Sequence, residues 1–139
     1  MLSLLNDYYK IDYCRPDDDD STLFRINLLP GYCAYEGHFP GNPVSPGVCN
    51  IQLIKECAEW LAGRPLFLAF IDKCKFMAVI SPQTTPYLQL RMYLSNSETT
   101  GSNVTYKYNV RATLFDDLTT YIEFKGEFVS TPITTLYGT

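Results

Sequence analysis

At 139 residues the chain is long enough to bury a core of its own and is read as one domain spanning residues 1–139. With 46% hydrophobic and 19% charged residues it is not a disordered chain, and a net charge of −4 argues against a nucleic-acid partner held by phosphate neutralisation. Five cysteines with no Cys-x-x-Cys pair and a single histidine argue against a zinc site, and no run of about 18 apolar residues is present to span a membrane.

The opening residues lack the basic and long apolar regions of a signal peptide, so a reducing cytoplasm is the expected location. Residues 8–15 and 21–28 read as short strands around Pro16 and the four carboxylates Asp17 to Asp20, a solvated hairpin tip rather than a metal loop. Residues 29–45 form a connection punctuated by glycine and proline. A helix is expected from Gly47 to about Gly63, with Ser45 as N-cap, Pro46 in the first turn and Gly63 closing it. Val48, Ile51, Ile54, Ala58 and Leu61 form its apolar stripe, and Gln52, Lys55, Glu56 and Glu59 the opposite one. Cys49 and Cys57 fall in this helix and are expected to pack as small apolar groups. Strands follow at 66–80, 86–94, 103–115 and 119–129, the last two joined by a turn at Asp116-Asp117. One helix among six strands needs a broad apolar surface, which an antiparallel sheet wrapped around it supplies, and 11 tyrosines and eight phenylalanines suit that arrangement. The fold class is α+β.

The only histidine, His38, stands before this helix in a segment stiffened by Pro40, Pro43 and Pro46. The start of a helix leaves N–H groups free, that of Gly47 among them, at the positive end of the helix dipole. A histidine near such donors can act as a base while they stabilise an oxyanion, which suits proton abstraction beside a carbonyl. A well-capped helix behind a rigid loop explains the same residues without any chemistry.

Gly37-His38-Phe39-Pro40-Gly41-Asn42-Pro43-Val44-Ser45-Pro46-Gly47-Val48 resembles the signature of the β-hydroxyacyl-acyl carrier protein dehydratases, His-Phe-Pro-Gly-x-Pro-Val-Met-Pro-Gly-Val followed by a helix, with Ser45 in place of methionine. Ile71-Asp72-Lys73-Cys74-Lys75-Phe76 followed by Ser81-Pro82 resembles the family's Ile-Asp-x-x-Arg-Phe and Pro-Gly-Asp, with Gln83-Thr84 replacing Gly-Asp. The resemblance implies a hotdog fold, an obligate dimer with an acyl tunnel between protomers, and no metal or organic cofactor. It also implies that His38 takes the C2 proton of a 3-hydroxyacyl thioester, that the Gly47 N–H polarises the thioester carbonyl, and that the Val44 carbonyl orients the imidazole. Phe39, Pro46 and Val48 are then the neighbours expected to contact substrate.

Gln52 departs from that pattern. The family places glutamate or aspartate fourteen residues after the histidine, where it protonates the departing hydroxyl in the other subunit's site. An amide donates a hydrogen bond but gives up no proton. Loss of a general acid costs about 10²–10⁴ in rate. Three accounts follow. Another acid serves, Glu56 about 5.4 Å further along the helix or Glu59 a turn beyond, although both also fit a solvated face. Alternatively His38 does both jobs while Gln52 holds the hydroxyl or a water. Or the chain binds acyl groups without turning them over, or pairs as a heterodimer with a homologous subunit that brings the acid. A hotdog thioesterase is a further alternative, weakened by the same glutamine. The expected substrates are thioesters of acyl carrier protein or coenzyme A. An acidic carrier would dock on basic residues, for which Lys73, Lys75, Arg91, Lys55 and Arg64 are the candidates.

Overall fold

Alternating apolar residues drive six segments of the chain into a single antiparallel sheet. A computed structural model describes residues 3–18, 20–37, 43–99 and 105–131, with backbone alone at 36–37 and 97–99. The strands are β1 (Tyr9–Pro16), β2 (Ser21–Leu28), β3 (Phe67–Phe76), β4 (Tyr87–Thr99), β5 (Thr105–Phe115) and β6 (Thr120–Val129). A four-residue helix α1 (Ala34–Gly37) and the long helix α2 (Gly47–Ala62) lie between β2 and β3. The sheet order is β1-β2-β4-β5-β6-β3, which puts β1 and β3 at its edges.

Register explains the core. Cys14, Phe24, Leu90, Leu114, Ile122 and Phe76 pair in succession across all six strands. The neighbouring Met92, Ala112, Phe124 and Cys74 form a second such row. Because side chains alternate across a strand, these rows lie on one face, and α2 packs on it. Its buried residues are Cys49, Asn50, Leu53, Ile54, Cys57 and Ala58, two adjacent rows at three- and four-residue spacing. Leu53 and Ile54 are fully buried, which stabilises the fold by about 1.5–3 kcal/mol each. A sheet wrapped on one long helix is the hotdog arrangement.

The apolar stripe read from sequence is therefore rotated. Ile54 and Ala58 belong to the core, but Val48 is 59% exposed and Ile51 and Leu61 are only half-buried. Periodicity fixed the helix but could not tell Asn50 from a surface residue, because its burial depends on a partner far away in the chain. Cys49 and Cys57 are buried as expected, and none of the five cysteines is disulfide-bonded.

The ends of the elements follow local chemistry. Gly63 adopts a left-handed conformation (φ 71°) and its N–H returns to the Glu59 carbonyl at 2.8 Å, closing α2. The β5–β6 hairpin turns on Asp116, whose carboxylate accepts the N–H groups of Leu118 and Thr119. β3 stops at Phe76, short of the expected 80. Residues after it turn back toward α2, where the Ile80 carbonyl accepts the Ser45 N–H. β4 continues to Thr99, past the expected 94, because it pairs with β5 from Gln89 to Thr99 in spite of a polar end, Ser95 to Thr99. At the β1–β2 tip Asp17 pairs with Arg91 at 2.9 Å. Among the described residues no helix is long and apolar enough to cross a membrane.

Candidate active site

Ser45, Tyr35, Tyr8 and Asn50 meet at the start of α2. Ser45 and Tyr35 are both buried, and their hydroxyls meet at 3.0 Å. These two residues flank the segment that carries His38, so their hydrogen bond joins its two ends. Beside them the Tyr8 hydroxyl donates to Asn50 Oδ1 at 2.6 Å, and the rings of Tyr8, Tyr32 and Tyr35 lie 5.3–6.4 Å apart. Burial, with Tyr35 adding to it, pushes the Tyr8 phenol far above its ordinary range, so it stays a neutral donor. His38 and Phe39 lie outside the described residues.

Ser45 is not the N-cap. Pro46 occupies that position in extended backbone (φ −64°, ψ 138°), and no side chain caps the helix. The serine hydroxyl is instead committed to Tyr35, a partner invisible to any local capping rule. The Pro46 carbonyl accepts from Cys49 N–H at 3.1 Å and Asn50 N–H at 3.3 Å. The N–H groups of Gly47 and Val48 precede the first helical bonds and sit at the positive end of the dipole. A Cβ at position 47 would lie 3.0 and 3.1 Å from ring atoms of Phe76, so only glycine fits beneath that ring without displacing it. Val44 and Pro46 are half-buried beside this turn, whereas Val48 faces outward.

Gln52 stands five residues on. That separation places it about 7.5 Å along the axis and about 140° around it from Gly47. The two positions therefore lie on different faces of α2.

Glu56 is half-buried and not free. Its Oε2 accepts from Leu4 N–H and from Gln52 Nε2, both at 2.9 Å. Its Oε1 accepts from the Tyr9 hydroxyl at 2.9 Å and from Leu5 N–H at 3.1 Å. Burial, together with Cys57 and Glu56, pushes the Tyr9 phenol far above its usual range and keeps it a donor to this carboxylate. Glu59 is likewise engaged, accepting from Leu66 N–H at 2.8 Å and from Lys55 at 3.3 Å.

Sequence reading missed Phe76, Tyr8, Tyr35 and Asn50 as parts of this site. Phe76 closes the second matching segment, which was a usable signal. The tyrosine cluster had none, because its members are brought together only by tertiary packing.

Most of the candidate docking cations are engaged within the chain. Lys73 pairs with Glu123 at 3.1 Å, Arg91 with Asp17, and Lys55 with Glu59, while Arg64 lies 3.8 Å over the Tyr106 ring. Lys75 is exposed next to Phe76, with no ion pair among the described residues. An open cleft of about 730 Å³ lies on the outward face of the sheet, lined by Tyr93, Arg111, Lys125 and Glu127 among others. No residue of α2 lines it, so it is not the site described above.

The edge strand β3 and the turn after it expose Phe70, Ile71, Phe76, Met77 and Val79. Among the described residues β3 pairs with β6 alone, and an exposed apolar edge is a feature by which sheets associate.

Residues 14–116 match the ApeI-like family, described as ApeI dehydratase. The chain is 30% identical over 95 residues to a 3-hydroxyacyl-acyl-carrier-protein dehydratase FabZ of Lactiplantibacillus plantarum, covering 63% of each chain. It thus spans less than two thirds of that curated relative's length. Among solved structures it is similar to the dehydratase heterocomplex ApeI:P from Xenorhabdus doucetiae, with a TM-score of 0.55 and 19% identity, covering 85% of this chain and 95% of that one. It is also similar to an apo-hexameric acyl-CoA thioesterase, with a TM-score of 0.50 and 20% identity, covering 86% of this chain and 74% of that one. At these identities the structural likeness speaks for the fold.

Proposed function

The chain belongs to the ApeI-like dehydratase family, and from that premise we propose that it removes water from a 3-hydroxyacyl thioester on acyl carrier protein, giving the trans-2-enoyl thioester. The observation that carries this reading is the start of α2, where Gly47 lies against the Phe76 ring and no side chain caps the helix, a few residues after the His38 segment. The Gly47 N–H receives the thioester oxygen as negative charge builds on it, which acidifies the C2–H bond. His38 takes that proton, the C2 electron pair forms the double bond to C3, and the C3 hydroxyl leaves. The Val44 carbonyl orients the imidazole, and Phe39, Pro46 and Val48 border the acyl chain.

The leaving oxygen needs a proton. Gln52 has none to give, and every hydrogen bond described for Glu56 is donated to it, so its carboxylate is held as an acceptor. The proton therefore comes from His38 itself, in the form in which it took it from C2, while Gln52 holds the hydroxyl. The 140° separation of Gly47 and Gln52 on one helix supports a site shared by two chains, joined through the exposed β3 edge. Lys75, exposed beside that edge, is the cation offered to an acidic carrier.

A second reading has a specific observation behind it. An amide at position 52 and an apolar edge awaiting a partner also suit a subunit that completes its site with a homologous chain bearing the acid. Hydrolysis of the thioester is less well supported, because neither Gln52 nor the occupied Glu56 can activate water.

Exchange at C2 tests the base half of the site by itself. Purified chain mixed with a 3-hydroxyacyl-carrier thioester in deuterium oxide is expected to wash deuterium into C2, and His38→Ala to abolish it. Exchange unaffected by His38→Ala contradicts the reading.

A further inference from the structure

We propose that Glu56 is a positioning residue that fixes the amide of Gln52, so that the atom Gln52 presents to substrate is its carbonyl oxygen. The inference deepens the function proposed above and rests on it for its kinetic consequence, though not for its geometry. A carboxylate can only accept hydrogen bonds, so the end of the amide facing Glu56 must be Nε2, which donates to Oε2 at 2.9 Å. The carboxylate cannot turn away to release it. Leu4 N–H shares Oε2, while the Tyr9 hydroxyl and Leu5 N–H hold Oε1. Tyr9 is fully buried and Leu4 nearly so, which roots these donors in the core. A four-residue spacing sets the two side chains one turn apart on the same face of α2.

Polarity then determines selectivity. With one Nε2–H donated to Glu56, the amide plane is fixed so that Oε1 of Gln52 is directed away from the carboxylate and is an acceptor. An acceptor at this place favours a thioester whose C3 bears an O–H donor over a 3-keto or 2-enoyl thioester, which brings none. A site built to hydrogen-bond a hydroxyl discriminates strongly against analogues lacking it, because the acceptor is otherwise left unpaired. Glu56 also ties Leu4 and Leu5 to the helix, so the first described residues of the chain act on the orientation of Gln52 through one carboxylate.

A double-mutant cycle with a spectroscopic readout tests this. Glu56→Gln is expected to lower kcat/KM for the 3-hydroxyacyl-carrier thioester about tenfold, the factor one charge-assisted hydrogen bond carries. In a Gln52→Leu background the same change is expected to have no further effect. An equal loss in both backgrounds overturns the proposal, since Glu56 would then act other than through Gln52. Glu56→Asp retains the charge but retracts it from Gln52, and serves if Glu56→Gln does not fold. The parent protein supplies a readout independent of turnover. With glutamine labelled by ¹⁵N, and Gln52 assigned by its loss in Gln52→Leu, one of its two amide protons is expected to exchange slowly with solvent. Equally fast exchange of both overturns the positioning claim. A parent that shows the protected proton but no turnover contradicts the proposed dehydration and leaves the amide orientation standing.

Discussion

Gly47 sits beneath an aromatic ring, and that contact ties a backbone atom to the chemistry. A methyl group there meets Phe76 at 3.0 Å, but Phe76 is 53% exposed and its ring can yield. Overpacking of about 1–3 kcal/mol is thus largely avoided, and the helix propensity of alanine offsets part of the rest. Gly47→Ala is expected to change stability by no more than about 1 kcal/mol while lowering kcat/KM about ten- to a hundredfold, because a moved ring misplaces the thioester. A large fall in thermal midpoint with kcat/KM unchanged contradicts this. Asn50 behaves in the opposite way. Its Oδ1 is buried and accepts from Tyr8, so Tyr8→Phe leaves that oxygen without this partner and is expected to cost about 1–3 kcal/mol in urea unfolding. A loss below about 0.5 kcal/mol means that another donor takes over. Gly47 was legible in the sequence because proline and glycine punctuate the start of a helix. Asn50 was not, since nothing local distinguishes a buried asparagine from a solvated one.

At the scale of the element, the β5–β6 hairpin carries a pH dependence of known sign. The Tyr121 hydroxyl, at 2.5 Å, holds the Asp116 carboxyl below its ordinary range, and the Leu118 and Thr119 N–H groups add to this. A carboxyl whose pKa is lower folded than unfolded contributes stability that is complete above the unfolded value and is lost as pH falls through the folded one. The hairpin therefore weakens in acid, on the low side of the ordinary carboxylate range. Tyr121→Phe is expected to narrow the gap between urea midpoints measured at about pH 7 and about pH 3. The effect is modest because Asp116 is little buried and solvent screens it. An unchanged gap contradicts the assignment. The turn itself was readable from Asp116-Asp117. The length of β4 was not, because its polar end is held by β5 rather than by any pattern of its own.

For the whole molecule, the hotdog arrangement followed from counting one helix among strands and from the match around His38. The helix face that meets the sheet was misjudged by about a quarter of a turn, since apolar periodicity alone does not say which of two adjacent stripes is buried. The outer edge of β3, which among the described residues pairs with β6 alone, completes the picture. Ile71→Lys, which places a charge on that edge, is expected to convert an associated species into a monomer in sedimentation velocity, with the far-ultraviolet dichroism unchanged. A parent that sediments as a monomer contradicts an interface on this edge.

Whether Gln52 leaves an active enzyme or a subunit in need of another turns on the parent chain's own turnover. The most direct measurement is formation of trans-2-enoyl thioester from 3-hydroxyacyl-carrier substrate by the purified chain alone. Turnover by the parent, reduced at least about 100-fold in His38→Ala, is the predicted result. Turnover absent from the parent, and appearing only in Gln52→Glu or on addition of a second homologous chain, contradicts it.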